Sequence, residues 1–177
     1  TGLPNKNKCE EILNAPDLLS AQDAVAICVF DLNNLRNINN NLGHDKGDEY
    51  IRSFAVQLRI AVVDEYFVGR DGGDEFIAVL KNVTRMQVEE CLRDIREQAA
   101  KYSKEYPEMP ISYAVGYAMS QDFEQSTMRE LFRYADKNMY IDKNRAKMEE
   151  AAEEKRMNQR LLAKVKEMGY QFSDCLY

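Results

Sequence analysis

Four stretches of the chain carry apolar residues at the lengths and spacings of β-strands. Residues 24–31 (AVAICVFD) form a short unbroken apolar run, long enough for a buried strand and too short for a buried helix. Residues 65–70 and 75–81 read as two more strands. Asp71, Gly72, Gly73 and Asp74 stand between them, and the glycines are expected to supply the φ > 0 freedom of a tight hairpin turn. Residues 111–119 (ISYAVGYAM) make a fourth, entered through Pro107 and Pro110. The intervening segments change to helical spacing. Residues 5–14 predict a first helix and residues 34–41 a brief second one. Residues 47–63 predict a longer helix, with Ile51, Phe54, Ala55, Leu58 and Val62 on its apolar face. Thr84 suits the N-cap of a helix over 85–102, and Ser126 that of the next one. The order helix, strand, helix pair, hairpin, helix, strand, helix predicts an α+β fold, a mixed central sheet with helices packed on it.

After Lys147 the apolar pattern thins. Residues 148–167 are rich in Glu, Lys, Arg and Ala, without Gly or Pro. Met157, Leu161, Leu162, Val165 and Met168 are helically spaced but sparse. Two readings stand: a solvated helical extension laying one stripe on its own domain, or a linker or coiled-coil stalk toward a partner. Residues 1–148 are thus expected as one domain and 149–177 as its helical extension.

Composition narrows the function. With 177 residues, 45% of them hydrophobic, the chain can bury a core in one domain plus an appendage. A net charge of −6 argues against a nucleic-acid polymer as partner. Cysteines at 9, 28, 91 and 175 form no CxxC pair and none lies near the single histidine, His44, so neither a metal site nor a disulfide framework is expected. That usage suits a reducing, cytoplasmic compartment. No apolar run reaches the roughly 20 residues of a membrane helix, and no signal peptide is visible. The first residues, Thr1 and Gly2 without Met, read as those of an excised piece whose membrane or sensor segments lie upstream.

The candidate chemistry is carried by acids. Asp74 and Glu75 are adjacent, mutually repelling and poor strand formers, yet they open a strand behind two glycines. Asp31 closes the buried run 24–31, where a carboxylate is costly unless hydrogen-bonded or bound to a cation. On spacing alone Asp31 could cap the next helix and Asp74 could close the turn. If instead the three acids converge at the tip of a sheet, they form a hard oxygen site suited to Mg²⁺ with substrate phosphates, and hence to phosphoryl or nucleotidyl transfer. Asn39 and Asp48 flank a loop bracketed by Gly43 and Gly47. They could present a donor and an acceptor to a base edge, and a carboxylate suits guanine N1–H and 2-amino groups. An ordinary polar loop with Asp48 near a helix start is the alternative. Lys143 and Lys147, at i and i+4, could approach one polyphosphate or simply be solvated.

Together these segments resemble the GGDEF family of diguanylate cyclases. The pentapeptide stands as Gly72-Gly73-Asp74-Glu75-Phe76, preceded by Arg70. Thr1-Gly2-Leu3-Pro4-Asn5 is similar to the family's opening TGLPN, and Asp31-Leu32-Asn33-Asn34-Leu35-Arg36-Asn37-Ile38-Asn39 to its DxDxFKxIN segment. Gly43-His44-Asp45-Lys46-Gly47-Asp48 resembles GHxxGD, Ser112-Tyr113-Ala114-Val115-Gly116 an SxGxA-type strand, and the run from Ala135-Asp136 through Met139-Tyr140 to Lys143 resembles ADxxxYxxK. The resemblance spans residues 1–148 in order.

It implies a ferredoxin-like sheet related to the polymerase palm, with the pentapeptide on a hairpin. The reaction implied is condensation of two GTP into cyclic di-GMP with release of two pyrophosphates, by a head-to-tail homodimer. Two Mg²⁺ per GTP site are implied, with Mn²⁺ able to substitute, and an upstream sensor or dimerisation domain as partner. By position, Asp31, Asp74 and the Leu32 carbonyl would hold metal, with Glu75 at the second ion. Asp74 would deprotonate the 3′-hydroxyl. Asn39 and Asp48 would read guanine, with His44, Gly72 and Gly73 lining the substrate. Lys143, Lys147 and the backbone N–H groups near Asn34 and Leu35 would hold phosphates.

Three departures stand out: Asn33 replaces the second acid of DxD, Arg36 the usual Lys, and Lys147 a common Arg. Val63 and Tyr66 occupy the positions of the RxxD product-inhibition motif, so that inhibition is expected to be absent. The alternative to an active cyclase is a non-catalytic module that binds GTP or cyclic di-GMP and regulates an attached domain; the intact pentapeptide favours activity.

Overall fold

The structure, a computed structural model, describes residues 1–167; Met168, Cys175 and the rest of the expected extension after Glu167 lie outside the described residues. The chain divides into two compact units, Thr1–Asp142 and Lys143–Tyr177.

The elements are α1 (Lys6–Leu13), β1 (Leu18–Leu19), β2 (Ala26–Leu32), α2 (Leu35–Leu42), α3 (His44–Ala61), β3 (Phe67–Arg70), β4 (Glu75–Leu80), α4 (Arg85–Glu105), β5 (Tyr113–Met119), β6 (Ser126–Thr127) and α5 (Met128–Glu167). The main sheet of the first unit has the order β3-β4-β2-β5. Each neighbouring pair is antiparallel. The strands joined by crossover helices run parallel but never touch, because another strand stands between them, β4 between β2 and β3 and β2 between β4 and β5. That is the βαββαβ, ferredoxin-like arrangement expected from the sequence.

Strand β2 sits in the middle and is buried along its whole length, which is why its sequence runs apolar without alternation. Its even positions, Ala26, Cys28, Phe30 and Leu32, share a cluster with Phe76 and Leu80 of β4, Tyr50, Phe54 and Leu58 of α3, and Val88, Leu92 and Ile95 of α4. Phe54 is the hub of this face, with its ring centroid 5.2 Å from Phe76 and 5.0 Å from Tyr113. The odd positions Ile27 and Val29 pack with Ile77, Val79, Cys9 and Leu13, and with Leu131, Ala135 and Met139 of α5. Each such fully buried large side chain contributes about 1.5–3 kcal/mol. Helix α5 lies so close to β5 that a Cβ at Gly116 would fall 2.0 Å from the Met139 nitrogen and 2.3 Å from the Ala135 oxygen. Asn138 Nδ2 donates to the Tyr117 carbonyl at 2.9 Å, and the Val115 N–H donates to Asp142 Oδ2 at 3.1 Å.

Some local expectations change. Thr84 caps α4 as expected, and Gln87 completes a capping box. Ser126 does not cap α5. Thr127 Oγ1 accepts from the Glu130 N–H at 3.2 Å, and Glu130 Oε2 accepts from the Thr127 N–H at 2.8 Å. Ser126 is instead buried in a two-residue strand paired with Leu19, a β1–β6 ribbon too short to leave a sequence pattern. Gly47 does not bracket a loop either: α3 begins at His44, and Gly47 is buried within its first turns.

In the second unit, residues from Lys143 to Glu167 continue helix α5. Met148, Met157 and Leu161 on it are exposed.

Candidate active site

The site begins with the hairpin. Arg70 and Phe76 are the last paired residues of β3 and β4, and the turn closes when the N–H groups of Asp71 and Gly72 both donate to the Glu75 carbonyl, at 3.0 and 3.3 Å. The guanidinium of Arg70 clamps the same turn, with Nε donating to the Gly72 carbonyl at 3.0 Å and Nη2 to the Gly73 carbonyl at 2.8 Å. Contrary to the sequence expectation, neither Gly72 nor Gly73 has positive φ; among the glycines of the described residues only Gly2 and Gly43 do. The loop is longer than a two-residue turn and needs no left-handed residue. Glycine is used here for its missing side chain: a Cβ at Gly72 would press on Glu75 Oε2 at 3.1 Å, and at Gly73 it would meet nothing within 4 Å. The backbone at Gly73 is therefore open to close approach.

Strand β2 delivers the third acid. Asp31 is directly opposite Glu75 in the β2–β4 register, and the next N–H, that of Leu32, donates to the Asp74 carbonyl at 2.9 Å. The chain thus brings Asp31, Asp74 and Glu75 to one end of the central strand pair. Asp31 is buried and Glu75 half-buried. Burial raises the Glu75 carboxyl above its ordinary range, and the charges of Asp74, Asp31, Asp71 and Asp136 push it the same way. Among the described residues, no three His, Cys, Asp or Glu side chains are arranged to hold an ion unaided. Mg²⁺ asks for less, since one or two carboxylates plus substrate phosphates commonly suffice. The oxygen-only donor set at this sheet end, whose members repel one another, fits that requirement.

Asn33, the departure from DxD, points its chemistry elsewhere. Its backbone N–H donates to the Ser112 carbonyl at 2.8 Å and its side-chain Nδ2 to Ser112 Oγ at 3.1 Å. In the second bond Asn33 is the donor, whereas an ionised Asp could only accept there, from the Ser112 hydroxyl. Asn34 follows with φ 64° and makes no side-chain cap for α2, so it does not cover the N–H groups of that helix's first turn.

The candidate base-reading residues gather where α2 meets α3. Gly43 ends α2 with φ 89°, and His44 opens α3, exposed. A Cβ at Gly47 would lie 1.8 Å from Asn39 Oδ1. The Asn39 amide therefore rests on the first turns of α3, one residue from Asp48. Asp48 is exposed, with Arg52 Nη2 3.8 Å from its carboxylate. This start of α3 is tied to the acidic end of the sheet, because Tyr50 Oη accepts from the Ser112 N–H at 3.1 Å. Lys143 and Lys147 lie one helical turn apart in the Lys143–Tyr177 unit. Val63 is exposed and Tyr66 half-buried; both line a cavity of about 220 Å³ together with Leu3, Pro4, Arg59 and Phe67.

Two contributors escaped the chemical reading of the sequence. Arg70 was noted only as preceding the pentapeptide, though an Arg two residues before a Gly-Gly turn is a fair signal for a carbonyl clamp. Asp136 acts on Glu75 from a helix distant in sequence; it stands in the ADxxxYxxK-like run, but that run by itself does not tie it to the hairpin.

The family described as "Diguanylate cyclase, GGDEF domain" matches residues 1–149. Among solved structures, an EAL/GGDEF domain protein from M. capsulatus is 29% identical with a TM-score of 0.63, covering 77% of this chain and 88% of that one. The active GGEEF domain of a diguanylate cyclase from Vibrio cholerae is 27% identical with a TM-score of 0.63, covering 70% and 79%. An uncharacterized membrane protein of Staphylococcus saprophyticus is 28% identical over 151 residues, 81% of this chain and 42% of its own length. The chain thus spans less than half of that relative. Among the described residues, no helix is long and apolar enough to cross a membrane.

Proposed function

This chain belongs to the GGDEF family of diguanylate cyclase domains, and on that premise we propose that it condenses two GTP into cyclic di-GMP, releasing two pyrophosphates, as a head-to-tail dimer in the cytoplasm. The observation that supports this most is the placement of Asp31 opposite Glu75, with the Asp74 carbonyl bonded to the next N–H of β2. Asp31, Asp74 and the Leu32 carbonyl would hold Mg²⁺, with Glu75 beside a second ion. Bound there with the triphosphate, Mg²⁺ would neutralise phosphate charge and polarise the bond to pyrophosphate.

The chain's own residues do the rest. Asp74 accepts the proton of the 3′-hydroxyl presented by the partner domain's GTP, whose oxygen attacks the α-phosphorus. The open backbone at Gly73, with Gly72 beside it, lets the α-phosphate approach. The uncapped N–H groups at Asn34 and Leu35 receive phosphate oxygens. Asp48 accepts from guanine N1–H and the 2-amino group, while the Asn39 amide, seated on Gly47, donates to the base, with His44 beside them. The assignment of Lys143 and Lys147 to the terminal phosphates rests on the resemblance alone.

The positions of an RxxD clamp hold Val63 and Tyr66, an apolar and an aromatic residue that cannot form its charged pair. Product inhibition through that motif is therefore absent in our reading. The test is incubation of concentrated protein with GTP and Mg²⁺ and mass identification of the product. Cyclic di-GMP is expected. If an enforced dimer left GTP unconsumed, the domain would be a binding module instead.

A further inference from the structure

Three side chains that take no part in the reaction proposed above form one hydrogen-bonded bridge. Tyr50 of α3 is fully buried, in the cluster that includes Phe54 and Phe76. A phenylalanine would fill that space as well, and a buried hydroxyl is costly unless its bonds are met. Here they are met by the loop that leads into β5. Tyr50 Oη accepts from the Ser112 N–H at 3.1 Å and donates to the Pro110 carbonyl at 3.2 Å. Ser112 in turn holds Asn33. Its carbonyl accepts from the Asn33 N–H at 2.8 Å and its Oγ from Asn33 Nδ2 at 3.1 Å. The loop is pinned beside them, since the Ile111 N–H donates to Ser103 Oγ of α4 at 3.0 Å.

The bridge joins the two ends of the proposed nucleotide site. Asn33 stands between Leu32, whose carbonyl is assigned to metal, and Asn34, whose N–H is assigned to phosphate. Tyr50 follows Asp48 by two residues in the early turns of α3. Between these ends the chain passes from α2 to α3 through Gly43, at φ 89° and without a side chain to pack. The placement of α3 relative to β2 therefore depends on contacts across the site. The apolar packing of α3 on β2 is non-directional, whereas the bonds of the bridge constrain both distance and angle.

We infer that Tyr50, acting through Ser112 and Asn33, is a positioning residue that sets the spacing between the guanine-reading end and the phosphate end of the site. This rests on the nucleotide reading given under Proposed function. Each end alone would bind its part of the ligand weakly. A fixed spacing lets one nucleoside triphosphate engage both ends without a further ordering cost. Loosening the bridge should therefore penalise the linked ligand and spare its separate parts. Bonds that served stability alone would give no such selectivity.

The test compares three ligands on the full chain with Mg²⁺, by NMR titration, which reads weak binding. They are guanosine, inorganic tripolyphosphate and 3′-deoxy-GTP, which lacks the attacking hydroxyl and is not consumed. Tyr50→Phe is expected to weaken 3′-deoxy-GTP by about tenfold, while guanosine and tripolyphosphate bind as they do to the parent. Ser112→Ala removes the acceptor of Asn33 Nδ2 and should weaken the same ligand selectively; it carries the comparison if Tyr50→Phe does not fold. In the double variant the loss should be smaller than the product of the single losses, because both changes cut one bridge. Variants that bind 3′-deoxy-GTP as the parent does, or that lose either part in equal proportion, would overturn the inference and leave the nucleotide reading intact. A parent that binds none of the three would overturn the nucleotide reading and this inference with it.

Discussion

The central strands β2 and β4 end in opposite ways. At one end Ala26 faces Leu80 and Met119, and the backbone closes on itself. The Val25 N–H donates to Ser120 Oγ at 3.1 Å, the Ser120 N–H to the Val25 carbonyl at 2.8 Å, and the Val83 N–H to the Ala24 carbonyl at 3.0 Å. At the other end the same two strands, in the same register, set Asp31 against Glu75. There the Glu75 carboxyl is raised by burial and by neighbouring acids, and Asp71 Oδ1 is buried without a hydrogen-bond partner. One end is apolar and satisfied, while the other concentrates negative charge that folding alone does not want. Breaking the rules of stability at one end of an otherwise consistent sheet is the pattern of a site held ready for a cationic ligand.

The largest expected effect comes from removing the acid at the turn. Asp74→Asn is expected to lower cyclic di-GMP formation by at least about a thousandfold, near 4 kcal/mol of transition-state stabilisation. The melting temperature should hardly move, because Asp74 anchors the sheet through its backbone carbonyl. Initial rates on an enforced dimer, beside a thermal melt, check this; substantial residual activity would remove Asp74 from its role. The opposite end should answer in the opposite currency. Ser120→Ala leaves the buried Val25 N–H without its acceptor and is expected to cost about 1–3 kcal/mol of stability. Denaturant unfolding measures it, with per-molecule activity of the folded fraction unchanged.

How much of this was readable in the sequence follows the same division. The apolar end and both faces of the sheet were legible because burial writes periodicity: 24–31 reads as a strand because both its faces are covered. The acidic end was legible as a set of residues, since Asp31, Asp74 and Glu75 stand where strands should not carry charge. The use made of the glycines was not. Gly72 and Gly73 were expected at positive φ and instead keep space clear, and Gly47 was read as a loop residue although it sits inside α3. Composition reports that a side chain is missing, not what its absence makes room for. Ser126 was mistaken for a cap because Thr127, one residue on, offers the same chemistry and has the Glu130 partner three residues later.

Gly47→Ala sharpens the comparison at intermediate size. The new methyl group would displace Asn39 Oδ1, which lies 1.8 Å from its position. Because that atom ends a flexible side chain, the fold should yield there and survive. The Asn39 amide, however, would leave the place from which it is proposed to read the base. The KM for GTP is expected to rise about tenfold, near 1.4 kcal/mol, with kcat little changed. An unchanged KM would show that Asn39 does not hold guanine.

The smallest effect is the most direct test of the contrast between the two ends. Glu75 is half-buried, lies opposite Asp31 and follows Asp74 in the chain, so its ionised form works against folding. Glu75→Gln keeps the side chain's size and its capacity to accept hydrogen bonds while removing one of the mutually repelling charges. In Mg²⁺-free buffer at neutral pH the variant is therefore expected to melt higher than the parent, by no more than a few degrees given the partial exposure of the group. Adding Mg²⁺ with GTP should reverse the order. The parent gains from a cation that its acids attract, and the variant has one ligand fewer to offer. A Glu75→Gln protein that melts lower than the parent without Mg²⁺ would mean that the carboxylate braces the turn through bonds of its own. The acidic end would then be as well satisfied as the apolar one, and the difference between the two ends of the sheet would lose its functional meaning.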